Sequence, residues 1–307
     1  MINTVLSELE RRGFRGRVVS VSRLGELREE FEGRRRDGLL DEGVVERYLS
    51  HLSFDLPADL PDARSIIVVA VPQPSIRFTF AWKGRRVKAD VPPTYFGARE
   101  VNERVVEAVN EASAPESFRL IPAIVPRKLL AVRSGLAAYG KNNVAYVPGM
   151  GSMHRLAAFF SDLPVEEDGW GDAAMLPRCR ECEACRRACP TGAIRGGRFL
   201  LHAERCITYH NEEEAGVPFP PWLEPSWHDL LIGCFHCQRA CPENRDYVDW
   251  VEERDEFSEE EVALLLAGAP PEEMPAATAG KLARSELGEI AEVLPRNLKI
   301  ILEREAA

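Results

Sequence analysis

The first 178 of the 307 residues hold no cysteine, and the chain has only 5 methionines and 5 tryptophans. Long hydrophobic runs are missing too. The longest, Ile66 to Pro72, has seven residues, against the roughly 20 needed to cross a bilayer, so no membrane partner is expected. The opening MINTVLSELERRG sets Glu10 beside Arg11 and Arg12 and has no apolar core region; it does not read as a secretory signal, and a cytoplasmic location is expected. Positive charge is in short supply, with 39 basic against 49 acidic residues and a net charge of −10. That balance discourages non-specific binding to phosphate backbones, so nucleic acid is a poor default partner. What is present is ordinary for a globular chain: 45% hydrophobic and 29% charged residues exclude general disorder. The length suits about two domains.

All eight cysteines fall between Cys179 and Cys241. Without a secretory signal their thiols are expected to stay reduced. Cys179, Cys182, Cys185 and Cys189 form C-x2-C-x2-C-x3-C, followed at once by Pro190; an incomplete second copy runs Cys206, then Cys234, Cys237 and Cys241 with Pro242. This is the bacterial ferredoxin pattern. Three thiolates on one tight loop hold three irons of a cube, while the fourth points away and ligates the other cluster. The spacing therefore assigns Cys179, Cys182, Cys185 and Cys241 to one [4Fe–4S] cluster. Cys189, Cys206, Cys234 and Cys237 are assigned to the second, with no cysteine left over. Structural zinc is the competing reading, but zinc sites usually join well-separated C-x2-C knuckles, and here four cysteines crowd into eleven residues. Two clusters side by side make a short relay for single electrons.

Elsewhere the pattern alternates. Residues 1–12 and 96–113 carry helix-period apolar positions, the second through Val101, Val105 and Val109; 23–32 and 42–52 do so among charges. Residues 17–21 and 65–71 predict strands, the second apolar on both faces and hence central. Strand-like pieces recur near 118–121, 143–147 and 156–162, and Ser258 with Glu261 forms a capping box. The expected organisation is an α/β or α+β domain over 1–170, a two-cluster ferredoxin-like domain over 171–248 and a C-terminal helical segment over 249–307.

Beyond the cysteines, four stretches occur in a distinctive order: LPDARSIIVVAV (Leu60 to Val71), AVRSGLAAYGKNN (Ala131 to Asn143), GSMHRLAAFFSDLPV (Gly151 to Val165) and ERCITYHNEEEAG (Glu204 to Gly216), with RNLKIIL (Arg296 to Leu302) at the end. In this order they resemble the epoxyqueuosine reductase family, which is related to the reductive dehalogenases. The resemblance implies a cobalamin-binding α/β domain coupled to a two-cluster ferredoxin domain, electrons passing through the clusters to cobalt, and an external low-potential electron donor. It also implies that Ser134, Gly135, Gly140, Lys141 and Asn142 approach a corrinoid. A helix C-cap turn at Gly140 explains the same loop without a cofactor.

Departures from the family pattern matter equally. The family carries a catalytic aspartate ahead of this loop; the matching position is Ile121, which cannot donate a proton. The stretch after the clusters is short for a tRNA-binding extension, so the expected substrate is a small molecule or a protein, with tRNA unlikely. Tyr95 and Tyr139 are the candidate proton donors, provided a cation such as Lys141 or Arg127 lowers their pKa from about 10; half-buried packing is the alternative for both. His154 is a candidate cobalt ligand or acid, or else a packing residue of a strand. His210 and His236, next to cluster ligands, are candidates to hydrogen-bond sulfur, and Arg34 to Arg36 read as a solvated helix end. An electron-transfer protein that activates a corrinoid partner, without substrate chemistry of its own, is the second expectation.

Overall fold

A run such as Ile66 to Val71, apolar at every position, has to be covered on both faces, and that requirement organises the N-terminal half. In the computed structural model, which describes residues 1–196 and 199–306, it forms β2 (Ser65–Pro72) at the centre of a four-stranded antiparallel sheet. The neighbours are β1 (Arg15–Ser20) and β8 (His154–Ser161), and β5 (Leu120–Pro122) lies beyond β8, giving the order β1-β2-β8-β5. Alternate side chains serve two cores. Ile67, Val69, Val71 and Phe159 face the helices Ile2–Arg11 and Ala98–Ser113, which present Val5, Leu9, Val101, Val105 and Val109. Ile66, Val68, Ala70 and Phe160 face the helices Leu24–Arg36 and Arg127–Arg133. Each fully buried aliphatic contributes about 2 kcal/mol by leaving water. The result is an α/β domain of three layers.

A second core lies beyond this sheet. β3 (Ser75–Trp82) and β4 (Arg85–Val91) form a hairpin whose turn, Lys83-Gly84, has positive φ at both residues, the geometry that matches strand twist. β9 (Val251–Phe257) joins β3 in parallel. Phe78, Phe80 and Phe257 are packed there against the helices Glu259–Leu266, Ala276–Arg284 and Leu294–Ala306. The C-terminal segment is therefore not helical throughout, because Val251–Phe257, near its start, form a strand of the hairpin sheet. VEERDEF has few apolar residues, and its acids pair with bases of the hairpin instead: Glu253 with Lys88 at 2.9 Å and Glu256 with Arg86 at 2.6 Å. The expected capping box is present, with Ser258 and Glu261 exchanging hydrogen bonds at the start of its helix.

Short strands β6 (Ala138–Tyr139) and β7 (Ala145–Tyr146) form a small ribbon, and its connecting loop Gly140 to Val144 leans on the cysteine region. That region is built of single turns, including the packed helices Ala184–Ala188 and His236–Arg239. Among the described residues no helix is long and apolar enough to cross a membrane.

Candidate functional site

None of the eight cysteines is in a disulfide. Cys241 lies near the thiols of the first motif and Cys189 near Cys206, while Cys237 neighbours both Cys185 and Cys189. Burial raises the pKa of Cys179, with a further rise from the neighbouring Cys241 and Cys182. Burial likewise pushes Cys185 up to about 11, with Cys179, Cys241 and Cys182 adding to it. In the other group burial raises Cys206, with Cys189 adding to it, and Cys234, which feels Cys206 and Cys237. Thiols crowded and desolvated in this way bind protons tightly unless a cation takes their place. A soft, thiolate-seeking metal centre is the group that such a donor set fits.

The loop Gly140 to Asn142 serves these thiols. The backbone N–H of Lys141 faces Cys179, and its Nζ donates to the carbonyl of Cys182 at 2.8 Å and to Glu183 at 2.5 Å. Asn142 stands between the groups: its amide faces Cys237 and donates to the Tyr146 hydroxyl at 3.0 Å, which in turn faces Cys241. Gly140 packs so closely that a Cβ there would lie 2.5 Å from Asn142 Oδ1 and 2.7 Å from the Tyr146 ring. Ser134 and Gly135 cap the helix Arg127–Arg133; Ser134 Oγ donates to Ala131 O at 3.0 Å, and Gly135 takes φ +71°. The C-cap glycine is thus Gly135, and Gly140 does other work.

A cavity of about 580 Å³ opens beside the second thiol group. Cys189, Cys206, Cys234 and Cys237 all reach its wall, as do Tyr95, Asn142 and His154. Ser134, Gly135, Gly140, Lys141 and Tyr139 do not line it. Tyr139 is buried in the first core, its ring edge-on to Phe199 with centroids 5.2 Å apart, and burial pushes its pKa up to about 12. The cation beside its hydroxyl is Arg34, not Lys141 or Arg127.

Tyr95 does reach the cavity, but its partner is a carboxylate. Its hydroxyl donates to Glu212, and burial, then the charge of Glu212, raise its pKa well above 10. The phenol is thereby held protonated against that carboxyl. The carboxyl on this wall belongs to Glu212; burial pushes its pKa above the usual range, and the Tyr95 hydrogen bond draws it back in part. Sequence reasoning missed it, because Glu212 to Glu214 look like a solvated charge run. The usable signal was its place six residues after Cys206, just past the short helix Ile207–Asn211. Ile121, the position matched to the family aspartate, pairs with Phe160 in the sheet and packs against the first core.

Two devices hold this wall. Gly233, at φ +77°, lets the Tyr95 ring approach: a Cβ there would lie 2.8 Å from the ring. Asn211 brackets the same glycine, accepting its N–H at 2.9 Å and donating to its carbonyl at 2.5 Å. Arg296 and Asn297, from the terminal RNLK stretch, donate to the carbonyls of His210, Asn211 and Leu231. Arg296 also donates to the carbonyls of Glu214 and Val217, so the chain on both sides of Glu212 is pinned.

The histidines near the site are held within the protein. His154 is buried on β8, and burial pulls its pKa down to about 4, which removes it as an acid near neutrality; its Nδ1 has no partner among the described residues. His210 and His236 each place Nε2 against a backbone carbonyl, of Glu204 at 3.0 Å and of Trp227 at 2.9 Å. Arg34 and Arg35 are ion-paired with Glu30 and Glu42 at the end of their helix.

The family model for a 4Fe-4S double cluster binding domain matches residues 178–244. The epoxyqueuosine reductase of Pseudomonas aeruginosa is 33% identical over 145 residues, 47% of this chain and 39% of that protein. The epoxyqueuosine reductase of Staphylococcus aureus is 26% identical over 196 residues, 61% of this chain and 50% of that protein. The chain thus matches about two fifths to one half of the length of these relatives. Two solved structures share the fold. That of epoxyqueuosine reductase from Streptococcus thermophilus has a TM-score of 0.70 at 18% identity, covering 99% of this chain and 81% of the other. The structure from Bacillus subtilis has a TM-score of 0.64 at 21% identity, covering 98% and 81%. Over about half of its length this chain is similar in sequence to epoxyqueuosine reductases, it shares the fold of their solved structures, and residues 178–244 match a 4Fe-4S double cluster binding domain.

Proposed function

We propose that the chain is an iron–sulfur reductase that performs its chemistry in the cavity beside Cys189, Cys206, Cys234 and Cys237. One observation carries this reading: four thiols of one group and a buried, protonatable carboxyl share the wall of a single small-molecule-sized cavity. Cys179, Cys182, Cys185 and Cys241 hold one [4Fe–4S] cluster and the other four cysteines the second. When bound, such clusters supply single electrons at low potential. The remaining work belongs to side chains. Asn142 links the two ligand groups, Glu212 holds the proton that reduction consumes, and Tyr95 fixes its orientation. Apolar side chains such as Leu49, Leu156 and Ile207 exclude water.

Cobalamin is the proposed third group, with Tyr95, Asn142 and His154 as the residues nearest to it. The proposed substrate is not tRNA. One solved epoxyqueuosine reductase holds an epoxyqueuosine-modified tRNA stem loop; here Ile121 stands at the position matched to the family aspartate, and the net charge is −10. The test is an anaerobic preparation made with cobalamin available, analysed for iron, sulfide and cobalt, then assayed on modified tRNA. About eight irons with one cobalt and no tRNA turnover are expected. Turnover of the tRNA would overturn the substrate assignment, and an iron-free protein would overturn the function.

A further inference from the structure

The wall that carries Glu212 also carries Arg127, Lys128 and Arg155. None of the three has a carboxylate at ion-pair distance among the described residues. Arg127 donates to the carbonyl of Leu156 at 3.4 Å, Lys128 to that of Asn143 at 3.3 Å and Arg155 to that of Thr94. This is unusual for a chain with ten more acids than bases (49 against 39), where Arg12 alone meets three glutamates. The Arg127 guanidinium is also close enough to Arg155 to disfavour its charge. Burial, then the charge of Arg127, depress the pKa of Arg155, and Glu289 and Glu286 offset this only through space; burial does the same to Arg127. Like charges held together in a partly desolvated wall lack their counter-ion.

We infer that Arg127 and Arg155, with Lys128 beside them, form an oxyanion subsite that seats a phosphate or carboxylate group of the molecule bound in the cavity. Two forked guanidiniums suit a planar or tetrahedral oxyanion. The cavity volume suits a small molecule and not a nucleic acid strand. The subsite rests on the reading of this cavity as the reaction site. It places the anionic end of the ligand between β8 and the start of the helix Arg127–Arg133.

The experiment uses the full chain with reconstituted clusters. Thermal unfolding is followed with inorganic phosphate or pyrophosphate against chloride at equal ionic strength, for the wild type, Arg127→Gln and Arg155→Gln. Phosphate should stabilise the wild type, and each variant should bind it about tenfold more weakly. Without anion, Arg127→Gln should melt no lower than the wild type, since a repulsion has been relieved. Equal phosphate shifts in all three proteins, no shift in the wild type, or a marked loss of stability in Arg127→Gln would each overturn the subsite. Iron content and bleaching by dithionite, read on the same samples, report separately on whether the redox site itself is intact. Two corrinoids then identify the source of the oxyanion. If the variants lose affinity for cobalamin but not for cobinamide, which lacks the nucleotide phosphate, the group belongs to the corrinoid. If they lose affinity for neither while phosphate binding falls, it belongs to the substrate. Equal loss for both corrinoids would indicate general damage to the cavity and overturn the proposal.

Discussion

The ammonium of Lys141 ends 2.5 Å from Oε1 of Glu183, beside the first cysteine loop, and not in the cavity. A lysine that reads as a cofactor contact in the sequence is thereby a brace between the small ribbon and the loop Cys179 to Cys185. Lys141→Ala should remove roughly 1 kcal/mol of support from a partly exposed ion pair. Iron should be lost to a chelator several-fold faster, with phosphate binding in the cavity unchanged. Unchanged iron retention together with weakened ligand binding would return Lys141 to the cavity.

Crossed ligation can be tested by counting iron in double variants. Cys241→Ser combined with Cys179→Ser should cost about four irons, because both residues serve one cluster. Cys241→Ser combined with Cys206→Ser should cost about eight, because the two serve different clusters. The reverse pattern would assign each motif to its own cluster.

Glu212→Gln keeps the volume and the acceptor for Tyr95 but removes the proton. Reductase turnover should fall, and the decline of the wild-type rate as pH rises through the raised carboxyl pKa should vanish from the variant. Stability gives an independent reading. A carboxyl whose folded pKa lies above its unfolded value contributes stability that is complete below the unfolded pKa and is lost as pH rises through the folded one. The variant should therefore gain on the wild type in denaturant midpoint toward alkaline pH, and the gap should close toward acid. A gap that widens in acid would mean that Glu212 is held as a carboxylate.

The second core makes a plainer prediction. The rings of Phe80 and Phe257 stack with centroids 5.3 Å apart and planes 13° from parallel, both fully buried. Phe257→Ala should destabilise the chain by about 3–5 kcal/mol, measured by denaturant unfolding. A loss under 1 kcal/mol would mean that β9 is dispensable to that core.

Where the physics is local, the sequence was legible. The all-apolar run of β2 announced a strand covered on both faces, Val101, Val105 and Val109 announced one helix face, and the cysteine spacing announced two sets of four. Long-range pairing hid the rest. β9 shows almost no apolar signal, since its acids are matched by Lys88 and Arg86 more than 160 residues away. The hairpin of β3 and β4 was legible and overlooked: SIRFTFAW and RRVKADV flank Lys83-Gly84, a pattern made for a tight turn. Glu212 differs from Glu213 and Glu214 only in what the fold sets beside it. Arg127 and Arg155 lie 28 residues apart in sequence, and only the sheet brings them together.

The bonds from Arg296 and Asn297 to the segment around Glu212 also set an order of events during synthesis. The last cysteine, Cys241, leaves the ribosome 55 residues before Arg296 does. Until that arginine arrives, the carbonyls of His210 and Asn211 lack the donors that pin them. A nascent chain thus holds its full complement of thiols before the shelter around them is finished, and metal loaded early would sit in a vessel still open to water and oxygen.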